Sequence, residues 1–118
     1  MSDRPHKKLK LWAAAMELVV NVYQLTKVFP KEEEFGLKSQ LRRAAVSIPS
    51  NIAEGLTRAS KGDKRHFLNI AQSSLSEVDA QLEICHRLGL IDDASLEKSE
   101  QLMREVYMLL SGLYRSIK

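Results

Sequence analysis

Residues 96–117, LEKSEQLMREVYMLLSGLYRSI, place Leu96, Ser99, Met103, Val106, Leu110, Leu113 and Ile117 at steps that alternate three and four. That spacing keeps seven side chains on one face of an α-helix and cannot be met by a strand, whose faces alternate every second residue. Asp92 or Asp93 supplies the N-cap. Leu102, Tyr107, Leu109 and Tyr114 fall beside the stripe, so the helix carries more apolar surface than a single seam needs, and self-association is the simplest way to cover it.

Working back from that helix, Gly89 marks a left-handed stop for a preceding one. The preceding helix starts near Lys61, where Ser60 and Asp63 fit a capping box. Its seam runs through Phe67, Ala71, Ser74, Val78, Gln81 or Leu82, Cys85 and Leu88, with Leu68 and Leu75 alongside. Earlier still, Leu37, Leu41, Ala44, Ile48, Ile52 and Leu56 carry a stripe straight through Pro49. One helix kinked at Pro49 is expected, with the Ala45 carbonyl losing its usual partner. The first helix uses Leu11, Ala15, Leu18, Val22, Leu25 and Phe29, ended by Pro30, with Trp12, Met16, Val19 and Tyr23 widening its stripe. Between the two, Lys31 to Gly36 reads as a short acidic connector with Phe35 turned inward. Four seams joined by short connections predict an all-α, antiparallel up-down-up-down four-helix bundle packed at about 20 degrees. The 118 residues make one such domain, with residues 1–8 a basic and partly flexible tail.

Composition narrows the function classes. Cys85 is the one cysteine, and Met1 to Leu11 contains no apolar run suited to a signal peptide, so a cytoplasmic location is expected. No stretch approaches the roughly 18 apolar residues of a membrane span. Nucleophile-elbow, Walker and dinucleotide motifs are absent, and neither a small-molecule substrate nor a cofactor is implied. Glu83 and His86 have the E-x-x-H spacing of di-iron bundles, but a second such pair and two further seam glutamates are missing. His86 therefore reads as a solvated residue near the helix end, Cys85 as core filling, and His66 as surface. A non-enzymatic protein follows.

The net charge of +3 is unevenly spread: residues 1–10 carry +3, residues 38–66 carry +5, and the remainder carries −5. In an antiparallel bundle Arg4, Lys7, Lys8, Lys10, Arg58, Lys61, Lys64 and Arg65 share one pole, a surface suited to RNA phosphates without base reading. A solubilising role explains the same charges. No aromatic stacking platform is expected there. A second feature is a polar stripe on the second helix, Gln40, Arg43, Ser47, Asn51 and Glu54, which Ser73, Ser74, Ser76 and Glu77 can face from the third. Such a stripe suits a wet subunit interface, a ligand groove or plain surface.

The stretch GLKSQLRRAAVSIPSNIAEG from Gly36 to Gly55, then Arg58, then FLNIAQSSLSEVDAQLE from Phe67 to Glu83, resembles a small bacterial four-helix bundle family. That family includes the intervening-sequence protein encoded inside some large-subunit ribosomal RNA genes. The resemblance covers nearly the whole chain and implies a ring-shaped homopentamer, related to the accessory protein of diversity-generating retroelements and associated with RNA or ribonucleoprotein. Its motif positions here are Gln40, Arg43, Ser47, Pro49, Asn51, Glu54, Gly55, Ser74 and Glu77. The resemblance implies no catalytic role. A homo-oligomeric module that binds RNA or a ribonucleoprotein through the basic pole is the first expectation, and a protein-binding scaffold using the fourth helix is the alternative.

Overall fold

The computed structural model describes residues 9–117 and has four α-helices: α1 (Lys10–Thr26), α2 (Leu37–Thr57), α3 (Lys61–Arg87) and α4 (Asp93–Ser116). A 3-10 turn (Lys31–Glu33) lies between α1 and α2, and no strand occurs among the described residues. Each helix packs on its two neighbours in the order α1, α2, α3, α4 and back to α1, with the most extensive contact between α2 and α3. Short connections make successive helices antiparallel, as in an up-and-down bundle. The tail expected at residues 1–8 lies outside the described residues.

The caps explain where three helix boundaries fall. Ser60 Oγ accepts from the Asp63 amide at 3.0 Å, and Asp92 Oδ1 accepts from the Ser95 amide at 2.8 Å, so Asp92 rather than Asp93 caps α4. That amide bond holds the Asp92 carboxyl below the ordinary carboxylate value. Beyond α3, Gly89 adopts φ +79°, its amide donates to the His86 carbonyl and the Leu90 amide to the Cys85 carbonyl. This is a Schellman stop, which needs the left-handed residue that glycine supplies without strain.

Helix α1 ends three residues earlier than its seam suggests. Arg42 of α2 reaches across and donates from Nε to Thr26 Oγ1 at 2.8 Å and from Nη2 to the Tyr23 carbonyl at 3.2 Å. Its guanidinium also lies 4.3 Å from the Tyr23 ring centroid. Thr26 Oγ1 in turn donates to the Val22 carbonyl at 2.7 Å. The Tyr23 carbonyl also accepts from the Lys27 amide at 3.1 Å, the last bond of the helix, so Arg42 and Thr26 add side-chain bonds to the final turn and tie it to α2. Phe29 still reaches the core through a turn closed by its amide on the Thr26 carbonyl. Phe35, expected to point inward, is 94% exposed. Leu37 packs against the core instead, and its amide is capped by Glu33 Oε1 at 3.1 Å.

Leu18, Val22, Leu41, Ile48, Ile52, Leu68, Val78, Leu82, Val106 and Leu110 are wholly enclosed. Each buried side chain of this size stabilises the fold by about 1.5–3 kcal/mol relative to exposure. Helix α2 continues through Pro49, whose ring is buried. On α3 the seam takes Leu82 and not Gln81, and Leu88 turns out to solvent, because the helix stops at Arg87 just before it. One polar pair sits inside the core, where Ser99 Oγ of α4 donates to Asn21 Oδ1 of α1 at 2.7 Å. Both side chains are small enough to bridge the helices, and each removes the other's desolvation cost.

Ser99→Ala leaves Asn21 Oδ1 buried without its donor, and urea unfolding is expected to show a loss of about 1–3 kcal/mol. Adding Asn21→Leu should recover most of it; an unchanged midpoint in the single variant would show that the pair contributes nothing. Burial, reinforced by the Glu33 carboxylate, pushes the Cys85 thiol from an ordinary 9.0 to about 11. The folded state therefore keeps a proton that the unfolded chain releases above 9.0, so this contribution to stability is full below that pH and is lost as pH rises towards about 11. Near neutral pH a thiol reagent is expected to label Cys85 only as fast as the protein opens, and rapid labelling of the native protein would contradict that burial.

Candidate functional site

Small side chains on the facing surfaces of α2 and α3 leave a polar groove. Gln40, Arg43, Ala44 and Ser47 line one wall, and Ser74, Glu77 and Gln81 line the other, around about 390 Å³. Ser74 Oγ donates to Ser47 Oγ at 2.9 Å across the helix pair. Asn51 Nδ2 donates to the same hydroxyl at 2.9 Å and to the Ser47 carbonyl at 2.8 Å, so Ser47 is held from both sides at the groove floor. Gln81 Oε1 is buried without a hydrogen-bond partner among the described residues. An acceptor in that state carries a desolvation cost and is receptive to a donor brought by whatever enters.

Of the nine motif positions, Gln40, Arg43, Ser47, Ser74 and Glu77 come together here, and Asn51 supports them. The other three serve different surfaces. Pro49 lies by Trp12, Met16 and Val19 in a hollow between α1 and α2. Glu54 Oε2 forms an ion pair with Arg58 Nη2 at 3.2 Å. At Gly55 a Cβ would sit 3.2 Å from Phe67 Cβ and 3.3 Å from the Lys64 carbonyl oxygen, so the absent side chain lets α2 and α3 meet closely near the loop. Gln81 joins the groove although its seam position suggested core, a reassignment that follows once Leu82 fills the seam.

The ends of α2 and α4 and the starts of α1 and α3 meet at one pole. Arg65 Nη1 donates to the Ile117 carbonyl at 3.2 Å, tying the start of α3 to the end of α4. Lys10, Arg58, Lys61, Lys64 and Arg65 belong to this pole, whereas Arg4, Lys7 and Lys8 lie outside the described residues. Arg115, in the last turn of α4, joins them. Charge clustering along the chain missed it, but the up-down order of the helices already implied it. These six cations stand against Glu54 and Asp63; the opposite pole has Lys27, Lys31, Lys38, Arg42, Arg87 and Lys98 against seven acids, Glu32 to Glu34, Glu83, Asp92, Asp93 and Glu97. The bundle is electrically polar from end to end.

An aromatic group also stands at the basic pole, contrary to the sequence expectation. Phe67 is half-buried, with the Arg58 guanidinium 4.6 Å above its centroid and the His66 ring edge-on at 5.2 Å and 75°. Its seam spacing suggested pure core, but at the first turns of α3 the bundle is open at its end.

Glu83 and His86 do not converge. Glu83 Oε2 accepts from Arg87 Nε at 3.2 Å, while His86 Nε2 pairs with Asp93 Oδ1 at 2.6 Å. Among the described residues no group of three or more His, Cys, Asp and Glu is placed to hold a metal, and no helix is long and apolar enough to cross a membrane.

No curated protein matches the chain. Among solved structures it is similar to a protein of unknown function from the S23 ribosomal protein family of Bacteroides thetaiotaomicron, at 27% identity and a TM-score of 0.81, covering 88% of this chain and 97% of that one. Residues 7–112 match the family model described as 23S rRNA-intervening sequence protein. With that match spanning α1, the whole of α2 and α3, and most of α4, the chain belongs to the 23S rRNA-intervening sequence protein family.

Proposed function

We propose that the chain is a non-enzymatic homo-oligomeric module that holds RNA, free or in a ribonucleoprotein, by its phosphates at the basic pole. The observation that carries this reading is the convergence of Lys10, Arg58, Lys61, Lys64, Arg65 and Arg115 at one end of the bundle. Backbone contacts of this kind supply affinity without base reading. The family description, which ties these proteins to the 23S rRNA intervening sequence, is compatible with such a partner.

Oligomerisation, as a pentameric ring in the resemblance, would multiply a modest positive patch into a broad one. Two features support a subunit contact: the groove with its unpartnered Gln81 Oε1, and the exposed Met16, Val20, Tyr23, Tyr107 and Met108. A bend of α2 at Pro49, where the Ala45 carbonyl loses an amide partner, belongs to the same reading and would set the angle at which one subunit's groove meets the next. A second reading, a scaffold that docks a protein on α4, draws on Tyr107 at 52% and Met108 at 64% exposure.

Native mass by light scattering, with and without a mixed RNA pool at low and high salt, separates these readings. The module should run as several copies and take up RNA only at low salt. If about four cations per subunit meet phosphates, affinity for single strands should fall roughly fifty-fold over a fourfold rise in salt. Lys61→Glu with Lys64→Glu should abolish uptake at unchanged mass, and Arg43→Ala should reduce the mass if the groove is the contact. An assembly indifferent to RNA would favour the scaffold, and a monomer would remove the oligomer from both readings.

A further inference from the structure

The basic pole holds a flat, layered group that phosphate binding does not require. Arg58 caps the C-terminal end of α2 in an extended conformation, which lays its side chain back over the start of α3. One face of the guanidinium covers the Phe67 ring at 4.6 Å, and its Nη2 is held by Glu54 Oε2 at 3.2 Å. Phe67 is itself fixed by Gly55, where any Cβ would press on it, and by the edge of the His66 ring. The Arg58 side chain nevertheless stays 42% exposed, so it reaches solvent while Phe67 covers one face of the guanidinium and Glu54 pairs with its edge.

We propose that Arg58, layered on Phe67, is a stacking platform for an unpaired base of RNA, with Lys61 and Lys64 of the adjoining turn meeting the flanking phosphates. This rests on the reading of the pole as a phosphate surface and adds a preference within it, for single strands over duplex. A planar guanidinium backed by an aromatic ring offers a base a flat, weakly hydrated partner, and every base has a π-face to place on it. A surface ion pair such as Arg58 with Glu54 adds little stability; its consequence here is orientation, since it restricts rotation of the guanidinium. A duplex keeps its bases inside the stack and can engage only the cations.

Binding of oligoadenylate, of the same backbone without bases and of an RNA duplex at low salt tests the platform. Wild-type protein should prefer oligoadenylate to the abasic strand by about tenfold, the scale of one stacked base. Arg58→Lys keeps the charge and removes the plane. It should erase that preference while leaving duplex affinity and the salt slope within about twofold. Phe67→Leu, which retains an apolar contact with the core and removes the ring beneath Arg58, should act in the same direction at an unchanged oligomer mass. If Arg58→Lys weakens all three ligands alike, or none, Arg58 is an ordinary phosphate cation and the platform is wrong while the phosphate reading stands. If the wild-type protein binds none of the three, both fall together.

Discussion

The close approach of α2 and α3 is the constraint on which the rest of the molecule depends. At the loop end, Gly55 leaves room for the Lys64 carbonyl and Phe67 Cβ at distances a methyl group would crowd. Midway, the approach is close enough for two of the shortest polar side chains, Ser47 and Ser74, to hydrogen-bond directly. Larger residues at these positions would force the helices apart, because packed interiors absorb extra volume only through strain. Once the pair is set, its geometry places the other two helices. α1 and α4 close the bundle across the remaining apolar faces, joined by the buried polar bridge from Ser99 to Asn21.

Both candidate sites follow from that contact. The groove exists because small residues that permit close packing also leave the longer Gln40, Arg43, Glu77 and Gln81 at its margins. The pole exists because a short α2–α3 connection brings Arg58, Lys61, Lys64 and Arg65 around one loop, while the antiparallel order adds Lys10 and Arg115. A single packing choice thus shapes both the groove and the loop at the centre of the basic pole, which α1 and α4 then extend.

How much of this was legible in the sequence depends on what each residue answers to. Helix identity and most of the seams follow from periodicity, which reports the face a helix buries, and Ser60, Asp92 and Gly89 mark boundaries by local chemistry that needs no tertiary partner. The end of α1 was not legible, because its last turn is tied to α2 by Arg42, sixteen residues on from Thr26, through the Thr26 hydroxyl and the Tyr23 carbonyl, a tertiary contact that periodicity does not report. Phe35 misled for a related reason: an apolar side chain next to a helix start is assumed to turn inward, yet Leu37 already fills that place. The groove was half legible. Spacing put Gln40, Arg43 and Ser47 on one face, but only the choice of Leu82 over Gln81 for the seam brings Gln81 to the opposite wall. Phe67 was misread because a seam position near the end of a bundle has core below it and solvent above.

The positive field at the pole has to come from side chains. Each end of an antiparallel four-helix bundle carries two helix N-termini and two C-termini, so the macrodipoles oppose one another and leave little net charge there. What remains is a set of cations differing in freedom. Arg58 and Arg65 are held by Glu54 and by the Ile117 carbonyl, whereas Lys61 projects from the first turn of α3 into solvent. An exposed lysine attracts a polyanion from a distance and gives way to salt, since exposed charges are screened within about 10 Å at moderate ionic strength. Anchored arginines lose less rotamer freedom on contact and hold a defined plane. The pole is therefore divided between groups suited to capture and groups suited to orientation. In the proposed phosphate reading, that division, more than the total charge of +3, is what such a surface has beyond one that only keeps a protein in solution.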